Sequence, residues 1–223
     1  MQAHERPEPY AVLEYQSSEP RVFGVEARPR FAAGLNTLLA GIRWVGKSEG
    51  FRKELTFVVM TMPLRATFDE IKQVAECARK EGMDDKLCLV IPSNAPRVRT
   101  IIASLKRFGI ATLLGGVGKS SRLCELTDHE VNGIVIETGL VSQAAGDPQA
   151  AAILDAIVTL ATSLGLKSFA SECGPSEFNF ARSTGINYVS RAESSVVPVG
   201  FSSRVHRTVV HQRTWLPSGT GSP

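Results

Sequence analysis

The chain has 223 residues, 43% of them hydrophobic, and sets 25 Lys and Arg against 22 Asp and Glu for a formal net charge of +3. No apolar run approaches the roughly 18 residues of a membrane-spanning helix, and the charge is too small to imply a nucleic-acid partner. The polar, proline-broken start Met1–Pro9 does not read as a secretory signal, and the cysteines Cys77, Cys88, Cys124 and Cys173 lack C-x-x-C spacing. Reduced thiols of a soluble cytoplasmic protein are expected, without metal bound by cysteine.

In chain order, residues 1–9 read as a flexible arm. Tyr10–Tyr15 and Arg21–Ala27 read as short strands separated by the turn residues Ser17, Ser18 and Pro20. A helix is expected over Ala32–Val45, a polar link over Gly46–Glu54, and a strand over Leu55–Thr61, which is β-branched and uncharged after Glu54. Thr67–Glu81 places Phe68, Ile71, Val74, Ala75 and Ala78 at helical spacing; Leu87–Ile91 is the next strand and Arg97–Phe108 the next helix. Ile110–Leu114 follows as a strand. Val131–Glu137 is another, and Asp147 with Pro148 opens a helix that runs to Gly165. Leu166–Ser171, a helix over Ser176–Thr184 and the strand Ile186–Val189 complete the alternation, which implies a parallel sheet with right-handed crossovers. Phe201–Trp215, with Arg204, His206, Arg207, His211 and Arg213 among valines, reads as an added strand on the barrel's outside or a partner-facing arm, and the end of the chain as disordered.

After Ile110–Leu114 comes Gly115-Gly116-Val117-Gly118-Lys119-Ser120, expected to lead into a helix. Converging glycine N–H groups and a lysine at a helix N-terminus can cradle phosphate, which makes Gly116, Gly118, Lys119 and Ser120 phosphate-loop candidates. The segment resembles the loop of partition-type ATPases, but Leu113 stands where G-x-x-x-x-G-K-S needs Gly, and Leu114 where that variant has its leading Lys. The alternative is a tight turn rich in glycine because the turn requires it.

Three stretches carry a second resemblance. VFGVEARPRF over residues 22–31 resembles the signature strand ivGvEALlRw of EAL domains, the barrels of bacterial cyclic di-GMP phosphodiesterases. LATSLGL followed by FASECG, then NYVSR, resembles that family's last helix, its AEGVE strand and its dyvQG strand. The resemblance implies a TIM-like (β/α) barrel of EAL type over residues 10–200, trimmed after the second strand, with residues 201–223 as a C-terminal extension. It implies that Glu26 stands at a divalent-metal ligand and Arg30 beside the ligand's phosphates, with Glu137 as a conservative replacement of the family's Asp. Elsewhere the family's ligand set is replaced: Met60-Thr61-Met62 stands for N-x-S, Val90-Ile91-Pro92-Ser93 for E-I-T-E, Gly115 and Gly116 for the paired Asp, Val135 for Lys, Ser171 and Gly174 for the two Glu of AEGVE, and Ser190 for Gln. Placing Glu172 on the first Glu instead requires a one-residue insertion after Gly165.

A two-metal phosphodiesterase needs several carboxylates at the strand ends. Only Glu26 stands in place, with Glu137 as a second carboxylate, so a catalytically inactive regulatory protein acting through protein–protein contact in cyclic di-GMP signalling is the leading expectation. A non-hydrolysing cyclic di-GMP receptor using Glu26, Arg30 and Glu137 is one alternative. A residual metal-dependent phosphodiesterase, or a nucleotide-binding protein using GGVGKS, is the other. No cofactor is expected, Mg²⁺ entering only with residual activity; the expected partners are an unidentified regulatory protein, cyclic di-GMP in the receptor reading, and a second copy of the chain.

Overall fold

The structure, a computed structural model, describes residues 8–14, 21–28, 34–48, 56–119, 121, 123–137 and 139–191. Eight strands close a barrel in chain order: β1 (Glu8–Glu14), β2 (Arg21–Arg28), β3 (Phe57–Thr61), β4 (Leu87–Pro92), β5 (Ala111–Val117), β6 (Gly133–Ile136), β7 (Lys167–Cys173) and β8 (Tyr188–Arg191). The helices are α1 (Leu35–Lys47), α2 (Phe68–Lys80), α3 (Val98–Arg107), α4 (Leu140–Ala144), α5 (Pro148–Ser163) and α6 (Pro175–Ser183), with a 3₁₀ turn over Leu123–Asp128. Among the described residues no helix is long and apolar enough to cross a membrane.

The parallel sheet expected from the alternation holds from β2 to β8. β1 is the exception and runs against both β2 and β8. The short connection from β1 to β2 cannot hold the crossover that a parallel pair needs, so the first hairpin is antiparallel.

Strand alternation divides the core in two. Phe57, Val59, Cys88, Val90, Ala111, Leu113, Val135, Phe169 and Tyr188 fill the barrel interior, whereas Val58, Met60, Leu89, Leu114 and Ile134 face the helices. Burial on both faces is why β3 and β4 read as continuous apolar runs. The Tyr188 ring meets Phe57 edge-on at 5.5 Å and Phe169 at 6.4 Å, closing the interior across β3, β7 and β8.

Two helix starts follow directly from local chemistry. Thr67 and Glu70 form a capping box on α2, with Glu70 Oε2 accepting from the Thr67 N–H at 2.7 Å and Thr67 Oγ1 from the Glu70 N–H at 3.3 Å. Asp147 accepts from the Gln149 N–H at 2.9 Å, with Pro148 at the first helical position of α5.

Three expectations need correction. β1 begins at Glu8, so the last residues of the expected arm belong to the barrel, where they pair with Ala27 and Arg28. β5 continues through Gly115 to Val117, because pairing with β4 and β6 supplies the hydrogen bonds that glycine's local turn tendency would forgo. The helix expected after Ser120 is the 3₁₀ turn, and α4 was not foreseen. The extension over residues 201–223 lies outside the described residues.

Candidate functional site

The C-terminal ends of β2 to β8 gather at one mouth of the barrel. The interior alternation Phe57–Val59 leads to Thr61, Ala111–Leu113 to Gly115, Phe169 to Ser171 and Tyr188 to Ser190. Glu26, 8% exposed, lies inside this mouth next to β3 and across β1 from β8.

Both carboxylate oxygens of Glu26 are engaged by hydroxyls. Ser190 Oγ donates to Oε2 at 2.5 Å and Ser171 Oγ to Oε1 at 3.3 Å. Ser190 is fully buried, and its Oγ also accepts from the Glu172 N–H at 3.3 Å. Two neutral hydroxyls therefore approach the carboxylate from the strand ends where the family resemblance implies a second carboxylate and an amide.

The register of β7 resolves which residue reaches inward. Pairing with β8 is regular at Phe169 and Ala170 and slips before Cys173, so β7 carries a bulge. Ser171 precedes it on the inner face; Glu172, exposed at φ +60, occupies the left-handed conformation at the place of the Gly in AEGVE. Ser171, not Glu172, thus reaches into the mouth.

Glu137 does not join Glu26. It follows β6, four strands from β2 in either direction round the barrel, and its side chain lies over Gly118, where an added Cβ would fall 2.6 Å from the Glu137 Cβ. Its backbone N–H donates to the Val117 carbonyl at 2.8 Å. Arg30, the third residue of the expected ligand set, lies outside the described residues, as does Ser120. Among the described residues no three His, Cys, Asp or Glu side chains come together as a metal site. Among the described residues, the Glu26 carboxylate and the two hydroxyls on it do not fit a two-metal centre.

The glycine-rich segment is built as a strand end. Gly116 sits at φ +76 in a bulge between the Gly115 and Val117 pairings, a conformation that glycine adopts without strain. Ser121 Oγ accepts from the Gly118 N–H at 2.9 Å and donates to the Gly116 carbonyl at 3.3 Å, closing the segment on itself. Lys119 Nζ stands 3.9 Å from Asp147 Oδ2. A phosphate cradle would need that N–H, that ammonium and an α-helix N-terminus together; the first two face protein groups, and a 3₁₀ turn follows.

Sequence reasoning singled out Glu26, Ser171 and Ser190 one at a time but missed that they bond to one another. It also missed Arg97, whose backbone lies at φ 59, ψ 34 immediately before α3.

No protein-family profile and no curated protein matches the chain. Solved structures do. The PaMucR phosphodiesterase in complex with cyclic di-GMP superposes with a TM-score of 0.69 at 20% identity over 83% of this chain and 88% of that one. The EAL domain of Mycobacterium smegmatis DcpA gives 0.71 at 16% over 82% and 88%. The standalone EAL protein of Vibrio cholerae O395, bound to cyclic di-GMP, gives 0.68 at 13% over 86% and 93%. The chain spans only 61% of another similar structure, the EAL enzyme Bd1971 in its cAMP-bound form, at a TM-score of 0.71 and 13% identity. Strand order, the antiparallel first strand and these superpositions together establish that the chain has the EAL-type (β/α) barrel fold.

Proposed function

We propose that this barrel is catalytically inactive and serves cyclic di-GMP signalling by binding a regulatory protein. The observation that carries the reading is the Glu26 carboxylate held between Ser171 and Ser190. Hydrolysis of a phosphodiester by two cations about 3.5–4 Å apart needs carboxylates converging from several strand ends, one cation generating hydroxide. At this mouth β7 and β8 contribute hydroxyls, β5 carries Gly115 and Gly116 near its end, and Glu137 stands on the opposite wall. The mouth retains the shape of an EAL barrel without the charge that would hold the metals.

Calorimetric titration of the protein with cyclic di-GMP, in Mg²⁺ and in Ca²⁺, tests the reading. No heat of binding up to about 100 μM ligand, an affinity weaker than roughly 5.5 kcal/mol, is the expected outcome. Binding that is lost in a Glu26→Ala, Arg30→Ala double variant, without turnover, would establish the receptor reading in its place.

A further inference from the structure

Two neighbouring loops at the barrel mouth combine exposed apolar side chains with cations that have no ion-pair partner among the described residues. β3 and β4 are hydrogen-bonded neighbours, so the β3–α2 and β4–α3 loops leave the barrel side by side. Leu64 and Phe68, on and just after the first loop, are 44% and 55% exposed; among the described residues only Leu164 is a comparably exposed large apolar side chain. The Phe68 ring lies 6.4 Å from Phe108, which supports it without covering it. Arg65 and Arg97 are exposed, one on each loop, and neither has an ion-pair partner among the described residues. Of the two acids in the first turn of α2, Glu70 is committed to the Thr67 cap, which leaves Asp69.

Arg97 adds weight to this patch. Its left-handed backbone costs a side-chain-bearing residue about 1–2 kcal/mol, and its side chain makes no capping hydrogen bond to α3. Among the described residues, none bonds to the guanidinium. A left-handed, exposed arginine whose guanidinium bonds to none of the described residues, at the rim of a mouth, is available for a contact outside the chain.

We propose that the β3–α2 and β4–α3 loops dock a short protein segment that alternates acidic and apolar side chains, its carboxylates on Arg65 and Arg97 and its apolar groups on Leu64 and Phe68. This rests on the reading of the barrel as an interaction protein and names the chemistry of its partner. Arginine matches a carboxylate by two parallel N–H bonds and is enriched in interface cores, where apolar contact supplies the surrounding burial. Its four side chains sit on two short loops, fewer than the roughly 20–30 residues a side of a domain-sized interface, so a linear segment fits them better than a globular face.

The test uses the full chain and a fluorescein-labelled peptide of repeating Glu-Glu-Leu-Phe units, read by fluorescence polarisation. Controls are the same peptide with Lys for Glu and a single-stranded oligonucleotide. Arg65→Glu with Arg97→Glu should weaken peptide binding about ten-fold or more, whereas Arg79→Glu with Lys80→Glu, on the far end of α2, should change it less than about two-fold. Leu64→Ser should weaken it by a smaller factor. Circular dichroism and urea midpoints confirm that each variant is folded. Equal loss in both charge-reversed variants, absence of peptide binding, or oligonucleotide binding that is tighter and lost in the Arg65, Arg97 variant would overturn the proposal. Cyclic di-GMP hydrolysis by the wild type would instead remove the interaction reading, whatever the peptide does.

Discussion

Replacing Arg97 with glycine should stabilise the barrel. Arg97 is held at φ 59 by the β4–α3 loop, whose exit is fixed by the Ser93 N–H donating to the Gly115 carbonyl at 3.0 Å and the Ile101 N–H to the Arg97 carbonyl at 3.1 Å. Both are backbone bonds that survive the substitution. Glycine relieves about 1–2 kcal/mol of left-handed strain and gives back about 0.5–1 kcal/mol through a freer unfolded chain. The net gain is about 0.5–1 kcal/mol, or roughly 1–4 °C in melting temperature for a domain of this size. Arg97→Ala is the discriminating control, since it removes the charge but keeps the strain and should stay within about 0.5 kcal/mol of wild type. Urea unfolding with unchanged slope measures both. Glycine that destabilises while alanine does not would refute the reasoning, because flexibility would then outweigh strain at this site. The same glycine variant should bind the acidic peptide more weakly, separating stability from docking.

Other substitutions test the packing and the mouth. Ser190→Ala removes the donor to Glu26 Oε2 and the acceptor of the Glu172 N–H, so a loss of about 1–3 kcal/mol is expected in urea unfolding. Gly133→Ala would drive a Cβ into the Lys167 carbonyl and to 2.9 Å from Leu113 Cδ2, and should cost about 3 kcal/mol by separating β6 from β7. Burial raises the Cys88 thiol, and also Cys77, above the ordinary thiol range. A raised folded-state pKa gives stability that is complete below the unfolded pKa and lost as pH rises. The unfolding free energy from urea titration should therefore fall above about pH 8.5, by up to about 1.4 kcal/mol per pH unit for the fully buried Cys88, and less steeply in Cys88→Ala. A flat profile, or an equal slope in the variant, would contradict the burial assigned to Cys88.

The elements most legible in the sequence were those whose own residues decide them. Asp147 and Pro148 start α5 by local hydrogen bonding, and the two-sided burial of β3 and β4 shows as unbroken apolar runs. Where pairing decides, the sequence misled: Gly115 and Gly116 read as a loop although β4 and β6 hold them in β5. α4 is too short to show a period. At the mouth, the order of the last strands drew attention to Ser171 and Ser190, and both lie toward the C-terminal ends of β7 and β8. That both hydroxyls converge on Glu26, across 145 and 164 residues of sequence, is a product of barrel closure that no local pattern records. The left-handed Arg97 was equally hidden, since nothing in its residue type favours that conformation.

The most direct measurement of the central claim is a turnover assay with cyclic di-GMP in Mg²⁺ and in Mn²⁺, reading the linear dinucleotide product against a reaction without protein. With Glu26 held by Ser171 and Ser190, product should not rise above the uncatalysed control under either metal. Metal-dependent product formation that is abolished by Glu26→Ala would show that this mouth still assembles a catalytic centre, and would contradict the account.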